Sequence, residues 1–195
     1  MSEIPIARID WRPCYRIVPS RFPPVGLFDA VADPDDLEAV FQIEAMTNDR
    51  LRDEVREISP VPPEDRIAGP GTTPIMAAFT HLNVEGDRFT DGSYGVFYAS
   101  KDLDTAVAET RHHRIRFLQA TDEPGQELDM RVYAVDLDAE LHDIRGMRES
   151  HPAWYHASNY AMSQALAAQL RDDGADGIAY LSVRHDGGEC VAVFR

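Results

Sequence analysis

Cysteine, basic residues and long apolar runs are all scarce in this chain. Its 195 residues include two cysteines, Cys14 and Cys190, without the paired spacing of a metal site. Both lie in strand-like segments, so we expect reduced, buried packing residues in a cytoplasmic protein. Lysine and arginine number 19 against 34 acidic residues, a net charge of −15. That charge argues against nucleic acid as the direct ligand, because phosphate backbones are bound by basic surfaces.

From the sequence we expect neither a membrane span nor a secretory signal. No apolar run approaches the roughly 20 residues that cross a bilayer, and the beginning, MSEIPIARIDWRP, lacks the basic and apolar regions of a secretory signal. What remains is an ordinary globular composition, 44% hydrophobic and 27% charged. We therefore predict a single domain over residues 1–195, with a core that needs no disulfide or metal.

The order of hydrophobic patterns predicts an α+β chain in which strands and helices are interspersed. The expected elements, in chain order, are a strand in ARIDWRPCYRIV, a helix over residues 33–55, a proline- and glycine-rich connection at 58–74, a short helix from Thr73, a strand in SYGVFYAS, a helix from about Asp102 to Leu118, a strand in ELDMRVYAVDLD, a helix ending at Gly174, and a hairpin of GIAYLSV and ECVAVF around a turn at 185–188.

Three polar residues stand in otherwise apolar segments: Arg88 in GDRFTDG, Glu109 in TAVAET and Ser182 in GIAYLSV. Buried polar groups are costly unless paired, so such residues either satisfy one another or serve a ligand. In the strand, Ile178, Tyr180 and Ser182 face one way. Ser182 then ends the strand beside a turn, where its hydroxyl could also simply bond local backbone.

Glu109 lies on the helix predicted from Asp102. The apolar stripe of that helix contains Leu103, Ala106, Val107, Thr110 and Phe117. Glu109 falls about 100° from the stripe's centre, a position suited to the wall of a cleft. The alternative is a surface carboxylate that pairs with His113 or Arg116.

Three segments together resemble the RES domain, which is found in the toxins of many bacterial toxin–antitoxin pairs and is named after an Arg, a Glu and a Ser. They are CYRI, GDRF with YGVFYASKDLDTAVAE, and SQALAAQLRDDGADGIAYLSVR. The likeness runs from Cys14 to the last residue, and a helical, proline-rich insertion at about 33–71 interrupts it.

One stretch departs from the family pattern. Where the family has Gly-Gly-Arg-Trp-Asn, this chain has Gly86, Asp87, Arg88, Phe89 and Thr90. Phe89 is expected to keep an aromatic wall, whereas Thr90 lacks the side-chain amide of Asn. Because the three residues that name the family are intact, the resemblance implies an active site.

The resemblance implies a compact fold like that of the ADP-ribosyltransferases, with mixed, mainly antiparallel sheets flanked by helices. It further implies a toxin that consumes NAD, cleaving the nicotinamide–ribose bond with phosphate or water as acceptor. A helix-turn-helix antitoxin would block the active site. One alternative is ADP-ribosylation of a specific protein. A second is a non-enzymatic binding module in which the Arg, Glu and Ser satisfy one another.

The chemistry of NAD cleavage suggests a role for each candidate residue. Glu109 would stabilise the oxocarbenium ion that develops on the ribose. Arg88 and Arg16 would hold the pyrophosphate, for which forked guanidinium donors are well suited. Tyr98 would stack on the nicotinamide, although it could equally be a core tyrosine. Ser182 would bond the carboxamide or a ribose hydroxyl.

Other motifs predict no separate chemistry. The histidine pairs His112–His113 and His151/His156 lack the spacing of a metal site, so no metal is expected. Ser182, His185 and Asp186 have the residue types of a hydrolase triad, but no GxSxG elbow surrounds the serine.

Overall fold

The computed structural model describes residues 4–20, 61–120 and 127–195. The helix predicted at 33–55, most of the predicted insertion at 33–71 and the side chain of Phe117 lie outside the described residues. The regular elements are β1 (Ile6–Pro19), α1 (Thr73–Thr80), β2 (Phe97–Ser100), α2 (Leu103–Ala120), β3 (Met130–Asp143), α3 (Ala161–Asp172), β4 (Gly177–Leu181) and β5 (Glu189–Val193). Short 3₁₀ turns span Pro63–Asp65, Arg145–Met147 and Pro152–Tyr155.

The longest pairing in the sheet joins β1 to β3 in antiparallel fashion, from Ile6 opposite His142 to Pro19 opposite Met130. The register shifts between Trp11 and Cys14. Pro13 lies inside that shift and has no N–H for the ladder, so the irregularity falls where a regular hydrogen bond cannot form.

The described strands close into a barrel with the order β1-β2-β5-β4-β3. The β3–β4 pair is parallel, through His142 and Ile178, and the other pairs are antiparallel. Helices pack around this mixed, mainly antiparallel sheet, which confirms the predicted α+β class. No helix among the described residues is long and apolar enough to span a membrane.

Strands β4 and β5 are covered on both faces, which explains their nearly continuous apolar sequences. Ala179 and Val191 belong to a cluster with Phe79 of α1. Ile178 and Tyr180 point the other way, into a second cluster that includes Leu166 of α3. The period-two expectation therefore holds from Ile178 to Tyr180. It fails at Leu181 and Val183, which were expected on the Ala179 side but pack against the second cluster, because the regular strand ends at Leu181.

Helix α2 differs from its predicted apolar stripe. Leu103 and Val107 are 42% and 47% exposed, whereas Thr105 is fully buried and Ala106 is 4% exposed. The predicted stripe is wrong at Leu103 and Val107 but right at Ala106, and a polar contact in the first turn explains the difference. The Asp102 carboxylate accepts hydrogen bonds from both the Thr105 backbone N–H and its hydroxyl, each at 2.8 Å, and so caps the helix.

Gly174 has the C′ role that the sequence predicts for it after α3. Its φ is +86°, in the left-handed region where glycine is favoured. Its N–H donates to the Arg171 carbonyl, and the N–H of Ala175 donates to Leu170. The paired bonds end the helix and turn the chain into β4.

Candidate active site

Ser182 and Glu109 are in direct contact. The Ser182 hydroxyl donates a hydrogen bond of 2.6 Å to Glu109 Oε1. Its oxygen accepts bonds from the backbone N–H groups of Arg184 at 3.0 Å and His185 at 2.9 Å. Ser182 is 1% exposed, so the rotamer of its hydroxyl is set by three partners. Because the serine holds one carboxylate oxygen, it also fixes the orientation of the Glu109 side chain.

Arg88 is buried, with 9% of its surface exposed, and contacts both the 3₁₀ turn at Pro152–Tyr155 and the loop that follows it. One Nη donates to the carbonyl oxygens of Trp154 at 3.2 Å and His156 at 3.1 Å. The guanidinium carbon also lies 4.8 Å from the centre of the Tyr160 ring. Among the residues that the structure describes, carbonyl dipoles and an aromatic face compensate the buried cation, and no carboxylate forms an ion pair with it.

The phenol of Tyr180 lies close to both Arg88 and Glu109. Burial raises its pKa well above 10; the negative charge of Glu109 acts in the same direction and the positive charge of Arg88 opposes it. The charges of Arg88 and Glu109 therefore both act on one buried aromatic residue of β4.

Arg16 and Tyr98 form an adjoining pair on β1 and β2. An Arg16 Nη donates to the Tyr98 carbonyl at 3.0 Å, and its guanidinium carbon lies 5.0 Å from the Phe97 ring centre. Burial lowers the pKa of Arg16 to about 10, so it stays charged at neutral pH. Arg16 Nε is buried without a hydrogen-bond partner among the described residues. An unpartnered buried donor of this kind is suited to an anionic oxygen.

The Tyr98 hydroxyl joins this pair to the Arg88 segment. It accepts a hydrogen bond of 3.0 Å from the backbone N–H of Phe89. Burial raises the pKa of Tyr98 well above 10, so the phenol is neutral. Contacts thus run from Arg16 through Tyr98 to the residue beside Arg88.

Two residues that sequence reasoning missed, Tyr160 and Arg184, connect Arg88 to the segment that carries Ser182. An Arg184 Nη lies 3.4 Å from the Tyr160 hydroxyl and also donates to the Ala157 carbonyl. Tyr160 therefore contacts Arg88 through its ring and Arg184 through its hydroxyl. Arg184 stands two residues after Ser182, which is a usable sequence signal. Tyr160 lies in an irregular loop that carries no comparable signal.

Asp87, which replaces a glycine of the family pattern, adds a negative charge close to Arg16 and Tyr98. Burial raises the pKa of Asp87, against the hydrogen bond from Asn83 and the positive charges that include Arg16. The same carboxylate acts to raise the pKa of Tyr98. Asp87 is therefore part of the electrostatic environment of Arg16.

The other two positions that differ from the family pattern, Phe89 and Thr90, make contacts within the fold. Phe89 is fully buried and packs edge-on against Tyr180, with ring centres 4.8 Å apart. It is a core residue of the second cluster, and the aromatic wall that the sequence predicts stays a prediction. Thr90 donates to the Tyr94 carbonyl at 2.7 Å and accepts from the Gly92 N–H at 3.1 Å, so it closes its own turn.

Neither of the two cavities described in the structure is lined by the candidate site residues Arg16, Arg88, Tyr98, Glu109 and Ser182. One of about 200 Å³ is lined by residues that include Tyr94 and Arg171. The other, of about 370 Å³, lies between α2 and strands β1 and β3. The pocket for a dinucleotide therefore stays a prediction.

The cysteines have no reactive features. Cys14 and Cys190 are free and buried, and burial raises their pKa values to about 11 and about 12. Such thiols are neutral and poor nucleophiles at neutral pH. Within the described ranges, His, Cys, Asp and Glu residues form no group of three or more that could bind a metal.

Comparison with known proteins identifies the family of this chain. The RES domain family model matches residues 63–195, which contain Arg88, Glu109 and Ser182 but not Arg16. The uncharacterized protein y4oC of Sinorhizobium fredii is 32% identical over 188 residues, covering 93% of this chain and 74% of that protein. A chain of the M. tuberculosis MbcT–MbcA toxin–antitoxin complex has a similar fold, with a TM-score of 0.52 and 14% identity over 95% of this chain and 75% of the other. By the family match and the sequence relative, this chain belongs to the RES domain family.

Proposed function

We propose that this chain is the toxin of a toxin–antitoxin pair and that it consumes NAD by cleaving the bond between nicotinamide and ribose. RES family membership and the fold shared with a chain of a toxin–antitoxin complex support the first part. The observation that carries the second is the 2.6 Å bond by which Ser182 fixes the Glu109 carboxylate. Arg16, with a buried donor left unpartnered among the described residues, supplies an adjacent anion-binding group.

The reaction demands little acid catalysis, because nicotinamide leaves NAD as a neutral molecule. The electron pair of the ribose C1′–N bond goes to the nicotinamide nitrogen, and positive charge develops on the ribose. Glu109 stabilises this oxocarbenium ion. A phosphate oxygen then forms the new bond to this same ribose carbon and gives an ADP-ribose phosphate. With water the product is ADP-ribose and a proton is released.

The cationic residues of the proposed site bind the pyrophosphate. Arg16 directs Nε toward a phosphate oxygen while its Nη remains on the Tyr98 carbonyl. Arg88 uses an Nη on two loop carbonyls, so a phosphate on that nitrogen competes with the 152–160 loop. Tyr98 stacks on the nicotinamide through its ring, while its hydroxyl accepts from Phe89.

The proposed partner is a helix-turn-helix antitoxin that covers the active site. Support comes from the fold shared with a chain of a complex that contains both a toxin and an antitoxin. The net charge of −15 favours a partner with a basic contact surface.

The test is to incubate purified protein with NAD and measure nicotinamide with and without phosphate. Release that increases with phosphate, together with an ADP-ribose phosphate product, supports phosphorolysis; release without dependence on phosphate supports hydrolysis. ADP-ribose found on one protein in a cell extract would favour the transferase alternative. No turnover under any condition and no toxicity on expression would contradict the proposal and favour a binding module.

A further inference from the structure

A second contact joins helix α2 to the chain segment that carries Ser182. One helical turn before Glu109, Thr105 is fully buried, and its Oγ1 lies 2.7 Å from His185 Nδ1. Residues four apart lie on the same face of a helix. The helix therefore meets the 182–188 segment at two levels, Thr105 with His185 and Glu109 with Ser182.

The hydrogen positions in this contact follow from the number of protons available. Thr105 has one hydroxyl proton, which it donates to Asp102 Oδ2 at 2.8 Å, because an ionised carboxylate only accepts. The bond between Thr105 and His185 must then be donated by Nδ1–H. When His185 is neutral, its proton is therefore on Nδ1, because Thr105 has no second proton to donate to it.

The backbone of the 182–188 turn packs closely against helix α2. A Cβ on Gly188 would lie 2.5 Å from Thr105 Oγ1 and 2.8 Å from Thr105 Cγ2, so only glycine fits there. The Ser182 N–H donates to the Gly188 carbonyl at 2.8 Å, and the Gly188 N–H donates to the backbone carbonyl of His185 at 3.1 Å. The turn is thus held by its own backbone hydrogen bonds, and Gly188 packs directly against Thr105.

We infer that Thr105 and His185 are positioning residues for Glu109 and Ser182. The N–H of His185 bonds Ser182 Oγ while its imidazole bonds Thr105, so one residue ties the serine to the helix that carries Glu109. Asp102 holds the Thr105 hydroxyl in the orientation that accepts the imidazole N–H. The catalytic part of this inference rests on the proposed NAD cleavage; the geometric part does not.

The test compares Thr105→Val with Thr105→Ser. Valine has nearly the same shape but no hydroxyl, whereas serine keeps it. With Thr105→Val we expect kcat for nicotinamide release to fall by about tenfold or more, since small misplacements near a reacting centre are costly. KM for NAD should change by less than about twofold, because no substrate contact is removed. Thr105→Ser should retain most of the wild-type kcat. Equal kcat values in the two variants would overturn the inference.

Two measurements decide the geometry without NAD. In crystals of Thr105→Val, the distance from Ser182 Oγ to Glu109 Oε1 should exceed about 3.5 Å, the limit of a hydrogen bond. In wild-type protein, imidazole ¹⁵N shifts should show His185 protonated on Nδ1, and this signature should be lost in the variant. An unchanged distance and unchanged shifts would contradict the inference. If wild-type protein releases no nicotinamide, the proposed function fails and these two measurements still decide the positioning.

A second pair of variants covers the case in which Thr105→Val does not fold. In His185→Asn the side-chain amide occupies the place of Nδ1–H and can donate to Thr105. In His185→Ala nothing donates. We expect Asn to preserve the Ser182–Glu109 distance and Ala to lengthen it. The same distance in both variants would overturn the inference.

Discussion

At the scale of single residues, the candidate site combines carboxylate, hydroxyl and guanidinium groups whose partners are mostly uncharged. Glu109 is held by a serine hydroxyl, and Arg88 by carbonyl oxygens and an aromatic ring. A charge without an opposite charge in contact keeps its electrostatic effect available for a ligand. The alternative of a non-enzymatic binding module, in which Arg88, Glu109 and Ser182 satisfy one another, describes only the Ser182–Glu109 part of what is observed.

Arg16 gives a prediction at this scale. Replacing Arg16 with Gln removes the charge and the buried Nε, so KM for NAD should rise by about tenfold or more, as expected for loss of a charge-assisted bond. Arg16→Lys keeps the charge but not the fork and should give an intermediate KM. The measurement is the steady-state rate of nicotinamide release at varied NAD. The exposed Arg8, which pairs with Asp138 on the surface, provides the matched control Arg8→Gln. An unchanged KM in Arg16→Gln would remove Arg16 from the binding site.

At the scale of elements, an ion-pair network joins the ends of β3, β5 and the start of α2. Arg145 pairs with Asp143 at 2.7 Å and with Glu189, and Lys101 pairs with Glu189 at 2.5 Å. The hydrogen bonds from Arg145 lower the pKa of Asp143. Burial acts to raise the pKa of Glu189, but its bonds to Lys101 and Arg145 outweigh that effect and lower it. The network fixes the strand ends next to the turn that carries Ser182.

Arg145→Gln should therefore make the protein less stable in a pH-dependent way. Both carboxyl groups have folded pKa values below their unfolded values, so their contribution is fully present above the unfolded pKa and is lost as pH falls through the folded one. At pH 7 we expect a loss of about 1 kcal/mol, discounted because the groups are partly exposed to solvent. The difference from wild type should shrink below about pH 4. Urea unfolding at a series of pH values measures it. A difference that is the same at pH 3 and pH 7 would contradict this account.

The strand pattern predicted which residues in the middle of β4 share a face, whereas the helical pattern predicted the buried face of α2 less well. The pattern places Ile178 and Tyr180 on one face and Ala179 on the other, because a strand packed on both sides must alternate. The apolar stripe of α2 failed at Leu103 and Val107, because Asp102 and Thr105 set the first turn by hydrogen bonds that a hydrophobic pattern does not contain.

At the scale of the whole molecule, the closed barrel brings β1, α2 and the β4–β5 turn to one region. Neither composition nor spacing predicts this convergence, since it depends on the strand order β1-β2-β5-β4-β3. The family resemblance is what identified Arg88, Glu109 and Ser182 as candidate site residues. The loop that binds Arg88 was missed because it uses the backbone carbonyls of Trp154 and His156, which any residue could provide.

The most direct measurement of the central claim is nicotinamide release from NAD by Glu109→Gln compared with wild type. Glutamine can still accept the Ser182 hydrogen bond, so the fold and the melting temperature should be nearly unchanged while the negative charge is lost. We predict that kcat falls by about 100-fold or more, the size expected when electrostatic stabilisation of a charged transition state is removed. Turnover by Glu109→Gln at the wild-type rate would contradict the assignment of Glu109 as the catalytic carboxylate.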